Sequence, residues 1–384
     1  MTFLPASDVL IAVDKFKGSL TARELSDAIV SGMRQELGQD FNPKICPIAD
    51  GGEGTVEAAL AAGYEEHSCQ VRGPLGETVR ARFAFKADQK IAVIESAQAC
   101  GMWQLQDQKL DIWRASSYGV GQLVAAALDR AAQKIIIGLG GSASSDAGAG
   151  MLQALGCHLY DSQGKELKAG AGYLNRAVSV DFSQLEPALK SVDLVAACDV
   201  TNPLYGPEGA VFVYGPQKGA KAEQLPLLDG GLKNFSQLLE AELAVKDGYY
   251  ASQAGAGAAG GLGFACLALG AAIRSGVELC FDLTGFRQAL AKSRVVITGE
   301  GKLDRQTLAG KGPAGVALAA HKTGAKVYAV CGLNQLTQQE WKQAGFSGIY
   351  AVVGREVSLQ ESLARAHQHV QQLSRRLAQD LLAR

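Results

Sequence analysis

The chain of 384 residues is too long for one ordinary core and fits two domains by length. Its composition is globular, with 47% hydrophobic and 20% charged residues, and a formal net charge of −1 gives no general field for nucleic acid or an anionic membrane, so the expected partner is a small molecule. Eight cysteines without a C-x-x-C pair read as reduced core thiols, and five histidines form no spaced zinc set with them.

The start, MTFLPASDVL, lacks the basic residues and long apolar core of a signal peptide, and the protein is expected to be cytoplasmic. VLIAVDKF is a short apolar run, and TARELSDAIVSGMRQEL follows with Leu25, Ile29, Met33 and Leu37 on one helical face. Thr21 and Glu24 form a capping box that sets where this helix begins. PKICPIAD predicts the next strand, residues 53–62 a helix, and EEHSCQV a further strand, the rhythm of a doubly wound parallel sheet.

The texture then changes. Residues 78–97 alternate like an antiparallel hairpin around KADQK, and CHLYDSQGKEL predicts a second hairpin with Gly164 at its turn. KIIIGLG and DLVAACD predict two more apolar strands. The uncharged residues 254–273 are long enough to span a membrane, but glycine and alanine leave them too weakly apolar, and a buried loop and helix is expected. The parallel rhythm returns in RVVITGEG, KVYAVCG and GIYAVVG. A last helix is predicted from the Ser358 and Glu361 box onward, with apolar residues at 359, 363, 366, 370, 373, 377 and 381. That stripe predicts a face packed on the domain, with a dimer seam as the alternative, so the chain is expected to be a monomer or a homodimer. The fold class is therefore α/β: a doubly wound, mainly parallel sheet domain from both chain ends, 1–71 and 289–384, with an inserted mixed α+β domain at 72–288.

IIIGLGGSASSDAGAG, residues 135–150, runs from a buried strand into a loop of tiny side chains. Gly140 and Gly141 allow close approach of the main chain, the N–H groups of a following helix favour an anion, and Ser142, Ser144 and Ser145 add hydroxyls. The alternative is a tight packing turn in which Asp146 caps the helix. AGKGPAG has Gly312 after Lys311 where a Walker A loop needs Ser or Thr, so that motif is absent. GAGAAG, residues 255–260, matches G-x-G-x-x-G with Glu278 beyond it, but no buried strand precedes it, and close helix packing is the stronger reading.

Further loops follow predicted strands at the carboxyl end, where open α/β sheets bind ligands. DKFKGS offers Lys15 and Lys17; ADGGEGT offers Asp50, Gly51, Gly52 and Glu53; CDVTNPL offers Asp199 and Asn202; TGEGKLDRQT offers Glu300, Lys302, Asp304 and Thr307. Together they hold what magnesium-dependent phosphoryl transfer needs: oxygen ligands for the ion, cations for phosphates and a base for the attacking hydroxyl.

DKFKGSLTA, PIADGGEGT, GLGGSASSDAGAGMLQALG, CDVTNPL, GAGAAGGLG and TGEGKLDRQT resemble, in order and spacing across nearly the whole chain, the bacterial glycerate kinases of the glycerate 2-kinase type 1 family. The resemblance implies ATP-dependent phosphorylation of D-glycerate to 2-phosphoglycerate, two α/β domains with one inserted in the other, and a site in the cleft between them. Asp199 is assigned as the base toward glycerate, Glu300 with Asp304 as the magnesium side, and Lys17 as the grip on an anionic group; exchange of the carboxylate roles is the alternative. A kinase for another hydroxy acid or sugar acid, and a non-catalytic ATP-binding regulator, are the competing functions.

Overall fold

Five strands form one sheet in the order Phe346–Ala351, Lys326–Asn334, Val295–Leu303, Val9–Val13, Lys44–Ile45, and every neighbouring pair is parallel. The structure is a computed structural model and describes residues 5–105, 110–309, 312–354 and 357–383. The chain divides into two units: Met1–Asp50 with Glu57–Ala62 and Val277–Arg384, and Gly51–Val56 with Gly63–Gly276. These bounds differ from the sequence expectation at both ends of the insertion. Glu65–Arg72 pairs antiparallel with Thr78–Lys86 and so belongs to the second unit. Val277, Cys280, Phe281 and Phe286, short of residue 289, are core residues of the first.

In the first unit, strand alternation sends Val9, Ile11 and Val13 to one face of the sheet and Leu10 and Ala12 to the other. The first face is covered by the helices Ala22–Leu37 and Ala366–Leu382, the second by Gly276–Thr284, Phe286–Leu290 and Gly312–His321. Two helical layers over an all-parallel sheet give the doubly wound α/β class expected. The Thr21 box forms as read: Glu24 N–H donates to the Thr21 hydroxyl at 3.2 Å, and Thr21 N–H to the Glu24 carboxylate at 2.8 Å. Leu25, Ile29 and Met33 are fully buried, contributing about 1.5–3 kcal/mol each. Gly32 lets the two helices touch, since a Cβ there would lie 2.1 Å from the Gln371 carbonyl oxygen.

The predicted last helix is two. Ser358 caps Leu359–Ala364, the chain breaks at Arg365 (φ −125°), and Ala366–Leu382 continues. Val370 and Leu377 are buried on the sheet, whereas Leu359 and Leu363 are exposed, because the break turns the first two positions of the stripe away from the core.

The main sheet of the second unit has six strands in the order Ala272–Arg274, Asp193–Ala197, Lys134–Gly138, Ile91–Glu95, Thr78–Lys86, Glu65–Arg72. The first four are parallel, and the last two are added antiparallel. The hairpin around KADQK forms as expected. The second predicted hairpin forms in short form around Gly164 (φ +73°), with a Tyr160–Glu166 bridge flanked by Asp161 N–H to the Lys165 carbonyl at 3.0 Å and Leu167 N–H to the Leu159 carbonyl at 2.8 Å, and His158–Tyr160 pairs on its other side with Ser179–Asp181. Residues 254–273 contain the buried helix Ala258–Ala268, and no helix among the described residues is long and apolar enough to cross a membrane. All eight cysteines are free thiols, six of them buried and Cys69 and Cys198 partly so, and burial pushes Cys100 up to about 12.

Candidate active site

Parallel pairing sets the geometry of the first unit. Val13 pairs with Gly299, and Ile48 N–H donates to the Val13 carbonyl at 3.1 Å, so the segments leading to Asp14, Asp50 and Glu300 leave the sheet side by side. Asp14 was not anticipated from sequence. Burial, with Asp50 and then Glu300 adding negative charge, pushes its carboxyl up to about 8, against the pull of the Lys15 N–H, which donates to Asp14 Oδ1 at 2.7 Å. Asp50 and Glu300 thus act on Asp14 electrostatically, although among the described residues no three such side chains are grouped to hold a metal ion.

The rest of TGEGKLDRQT braces this set. The Thr307 hydroxyl donates to Glu300 Oε1 at 2.5 Å and accepts from Asp304 N–H at 3.1 Å, so Thr307 joins two acidic residues, although it was expected to meet phosphate. Asp304 pairs with Lys302 at 2.8 Å and accepts from Gln306 N–H; the lysine bond comes first among the causes that hold its carboxyl below the usual range. Lys15 is half-buried and Lys17 exposed. Gly310 and Lys311 of AGKGPAG lie outside the described residues.

In the second unit four parallel strands end in one register at Glu95, Gly138, Ala197 and Arg274. The loops that leave them carry residues 96–101, 139–150 and 198–204. Gly51 and Gly52 lie along this edge: a Cβ on Gly138 would stand 2.6 Å from the Gly51 carbonyl oxygen, and one on Gly140 2.4 Å from Gly52 Cα. Buried Glu95 accepts from Gly54 N–H at 2.9 Å and Val56 N–H at 2.7 Å, tying down the start of the helix Thr55–Ala61; this residue too was missed. Glu53 is exposed.

The 138–150 loop turns its carbonyls inward. Ser96 N–H bonds the Gly138 carbonyl at 2.9 Å, the Ser96 hydroxyl bonds Gly140 O at 3.3 Å, and Met102 N–H bonds Gly141 O at 2.9 Å. In a trans peptide N–H is opposed to C=O, so the N–H groups of Gly141 and Ser142 face away from residues 96–102. Gly141 is exposed with φ +74°, a conformation natural to glycine. Two adjacent N–H groups at an exposed glycine turn suit an anion.

The hydroxyls expected to assist are buried. Ser142 and Ser144 face inward, the latter's hydroxyl 3.8 Å from Cys100 Sγ, and Ser145 Oγ is buried without a hydrogen-bond partner among the described residues. Asp146, fully buried, accepts from Ser117 N–H at 2.8 Å, the Ser117 hydroxyl at 3.0 Å, the Ser116 hydroxyl at 3.3 Å, and the N–H groups of Gly148 and Gly150. Burial still raises its carboxyl above the ordinary value. Asp146 therefore knots the loop to residues 116–117, and the N-cap position of the next helix is Gly148.

Asp199, half-buried, accepts from Gly276 N–H at 3.1 Å. Asn202 is used by its own loop, donating to the Glu208 carbonyl at 2.8 Å and accepting from the Tyr214 hydroxyl at 2.7 Å. The GAGAAG glycines are packing residues. A Cβ on Gly260 would stand 2.1 Å from Ser144 O, and one on Gly257 2.3 Å from Pro203 O. Turns rather than a strand precede them, so the dinucleotide pattern lacks its structural context.

A family model described as the glycerate kinase family matches residues 9–382. The chain belongs to the glycerate kinase family. It is 41% identical over 372 residues to a glycerate kinase of Halalkalibacterium halodurans, covering 96% of this chain and 97% of that one. It is 41% identical over 378 residues to the glycerate 2-kinase of Escherichia coli, covering 97% of each. A crystal structure described as glycerate kinase 2 of Salmonella typhimurium LT2 superposes with a TM-score of 0.84 at 39% identity, covering 98% of both chains.

Proposed function

We propose that the protein transfers the γ-phosphoryl group of ATP to the 2-hydroxyl of D-glycerate, giving ADP and 2-phosphoglycerate. The observation that carries this reading is the shared register of Glu95, Gly138, Ala197 and Arg274, which sets the exposed Gly141 turn and the Asp199 loop at one edge of one sheet. An anion cradle beside a carboxylate is the minimum equipment for moving a phosphoryl group to a hydroxyl. Family membership and the glycerate 2-kinase name of the Escherichia coli relative supply the substrate and the position.

In the proposed reaction Gly141 and Ser142 donate their N–H groups to phosphate oxygens of ATP. Asp199 accepts the proton of the 2-hydroxyl as that oxygen bonds the γ-phosphorus and the bond to the β-phosphate oxygen breaks. Lys17, exposed on DKFKGS, meets an anionic group of ATP or glycerate. When bound, magnesium would neutralise charge on the transferring phosphoryl group. Among the described residues no three His, Cys, Asp or Glu side chains form a ready cage. Magnesium keeps several waters and takes only one or two carboxylates, so it needs no such cage. Glu300 and Asp50 would hold it, and Asp304, bonded to Lys302, orients that lysine. Under this reading the enzyme is cytoplasmic and acts on small molecules alone.

Phosphorus NMR of a reaction containing ATP, magnesium and D-glycerate tests the proposal, with 2-phosphoglycerate and ADP expected. Phosphate on the 3-hydroxyl alone would overturn the position, and absence of ADP would overturn the kinase. Faster turnover of another hydroxy acid would reassign the substrate.

A further inference from the structure

The second unit contains a lysine with almost no access to water. Lys218 is 4% exposed and ends the short turn Pro216–Lys218 within the sequence GPQKG. Gly219, at φ +89°, sits so close to Leu110 that a Cβ would be 2.8 Å from the Leu110 Cβ, and this close approach takes the chain past an interior position. The ammonium donates to the Ser144 carbonyl oxygen at 2.6 Å and to the Ser142 hydroxyl at 3.1 Å. Cys100 and Asp146 are the ionisable groups that act on it electrostatically.

Burying an ammonium is costly, and a core that needed only filling would be served as well by methionine or leucine. What the charge adds is a two-point hold on the segment that presents the Gly141 and Ser142 N–H groups, and a positive potential behind them. Its anchors flank Ala143, whose own N–H is held by the Cys100 carbonyl at 2.7 Å, so the turn is clamped from two directions.

We propose that Lys218 is a positioning residue for nucleotide binding, fixing residues 142–144 so that the outward N–H groups of the turn meet the phosphates of ATP. This rests on the reading of residues 138–150 as the phosphate loop.

The test uses full-length Lys218→Met and Lys218→Gln, with Gly141→Ala as a control that alters the turn without touching the lysine. Direct ATP binding, the KM for each substrate, kcat and thermal melting are measured. Lys218→Met is expected to fold, to weaken ATP binding and raise its KM tenfold or more, and to leave the KM for D-glycerate within twofold; Lys218→Gln, which keeps a donor, is expected to recover part of the loss. Folded lysine variants with wild-type ATP affinity overturn the inference if Gly141→Ala weakens ATP, because the loop then binds phosphate without needing the clamp. If Gly141→Ala also leaves ATP affinity unchanged, the phosphate-loop reading itself fails. Failure of both lysine variants to fold would overturn the positioning role in favour of one in folding.

Discussion

Thr307 and Glu300 share a hydrogen bond of 2.5 Å, and the same threonine hydroxyl receives the Asp304 N–H at 3.1 Å. A nearly isosteric Thr307→Val would leave the fold intact while removing this tether from Glu300. Hydrogen bonds to charged groups contribute about 1.5–3 kcal/mol, so the carboxylate should lose its fixed direction. The expected outcome is a several-fold rise in the magnesium concentration at half-maximal rate, read by titration at saturating ATP and glycerate. An unchanged magnesium titration in the folded variant would separate Thr307 from the cation.

Asp199 offers a cleaner substitution than most carboxylates. Asp199→Asn keeps an oxygen for the Gly276 N–H, which the carboxylate now accepts at 3.1 Å, and loses the ability to take a proton. The substitution should cut kcat by roughly 10²-fold or more, the usual scale for lost base assistance, with ATP affinity little changed. If its main effect is on magnesium dependence, the carboxylate roles are exchanged.

Asp146 lies in the phosphate-loop sequence, yet its predicted effect is on stability. Both carboxylate oxygens accept, one from residues 116, 117 and 150 and the other from Gly148 N–H. An amide would set a donor against a donor on one side. Asp146→Asn is expected to lower unfolding free energy by about 2 kcal/mol, measured by urea denaturation. A variant as stable as the parent would show that the buried knot does not hold the loop.

Local signals were legible in the sequence where the chain satisfies itself over a few residues. The Thr21 box, the apolar strand VLIAV and the hairpin around KADQK formed as written, because capping and alternation are short-range. The helix break at Arg365 was hidden by an apolar stripe that runs on without a proline or glycine, although Leu359 and Leu363 are exposed. Glycines were legible as close approaches but not by partner: Gly140 meets Gly52, and Gly260 meets Ser144, each across a long stretch of chain. The serines read as outward donors are turned in, since the hydroxyl inventory of a loop does not reveal which side faces the core. Asp14 and Glu95 stand at strand ends and Lys218 in a short glycine- and proline-bounded turn, with no local signal that marks them. Their partners are brought by sheet register or by segments 39 to 76 residues away.

Lys218 also makes a prediction about pH that needs no substrate. Burial pushes its ammonium down from 10.5 to about 8, with Asp146 pulling the other way. Between those two values the unfolded chain binds a proton that the folded chain lacks, so stability rises with pH across that window. Below about 8 the cost of the buried charge is present in full; near 10.5 it is gone. Lys218→Met carries no such cost at any pH, and the other ionisable groups are common to both proteins. Cys100, pushed up to about 12, stays a thiol throughout. The stability of the parent relative to Lys218→Met should therefore increase from about pH 8 to about pH 10, by an amount on the order of a few kcal/mol. Urea denaturation of both proteins at closely spaced pH values reads the difference directly. Parallel curves would mean that the lysine titrates alike in the folded and unfolded chains, which a side chain shut away from water and bonded to Ser142 and Ser144 should not do.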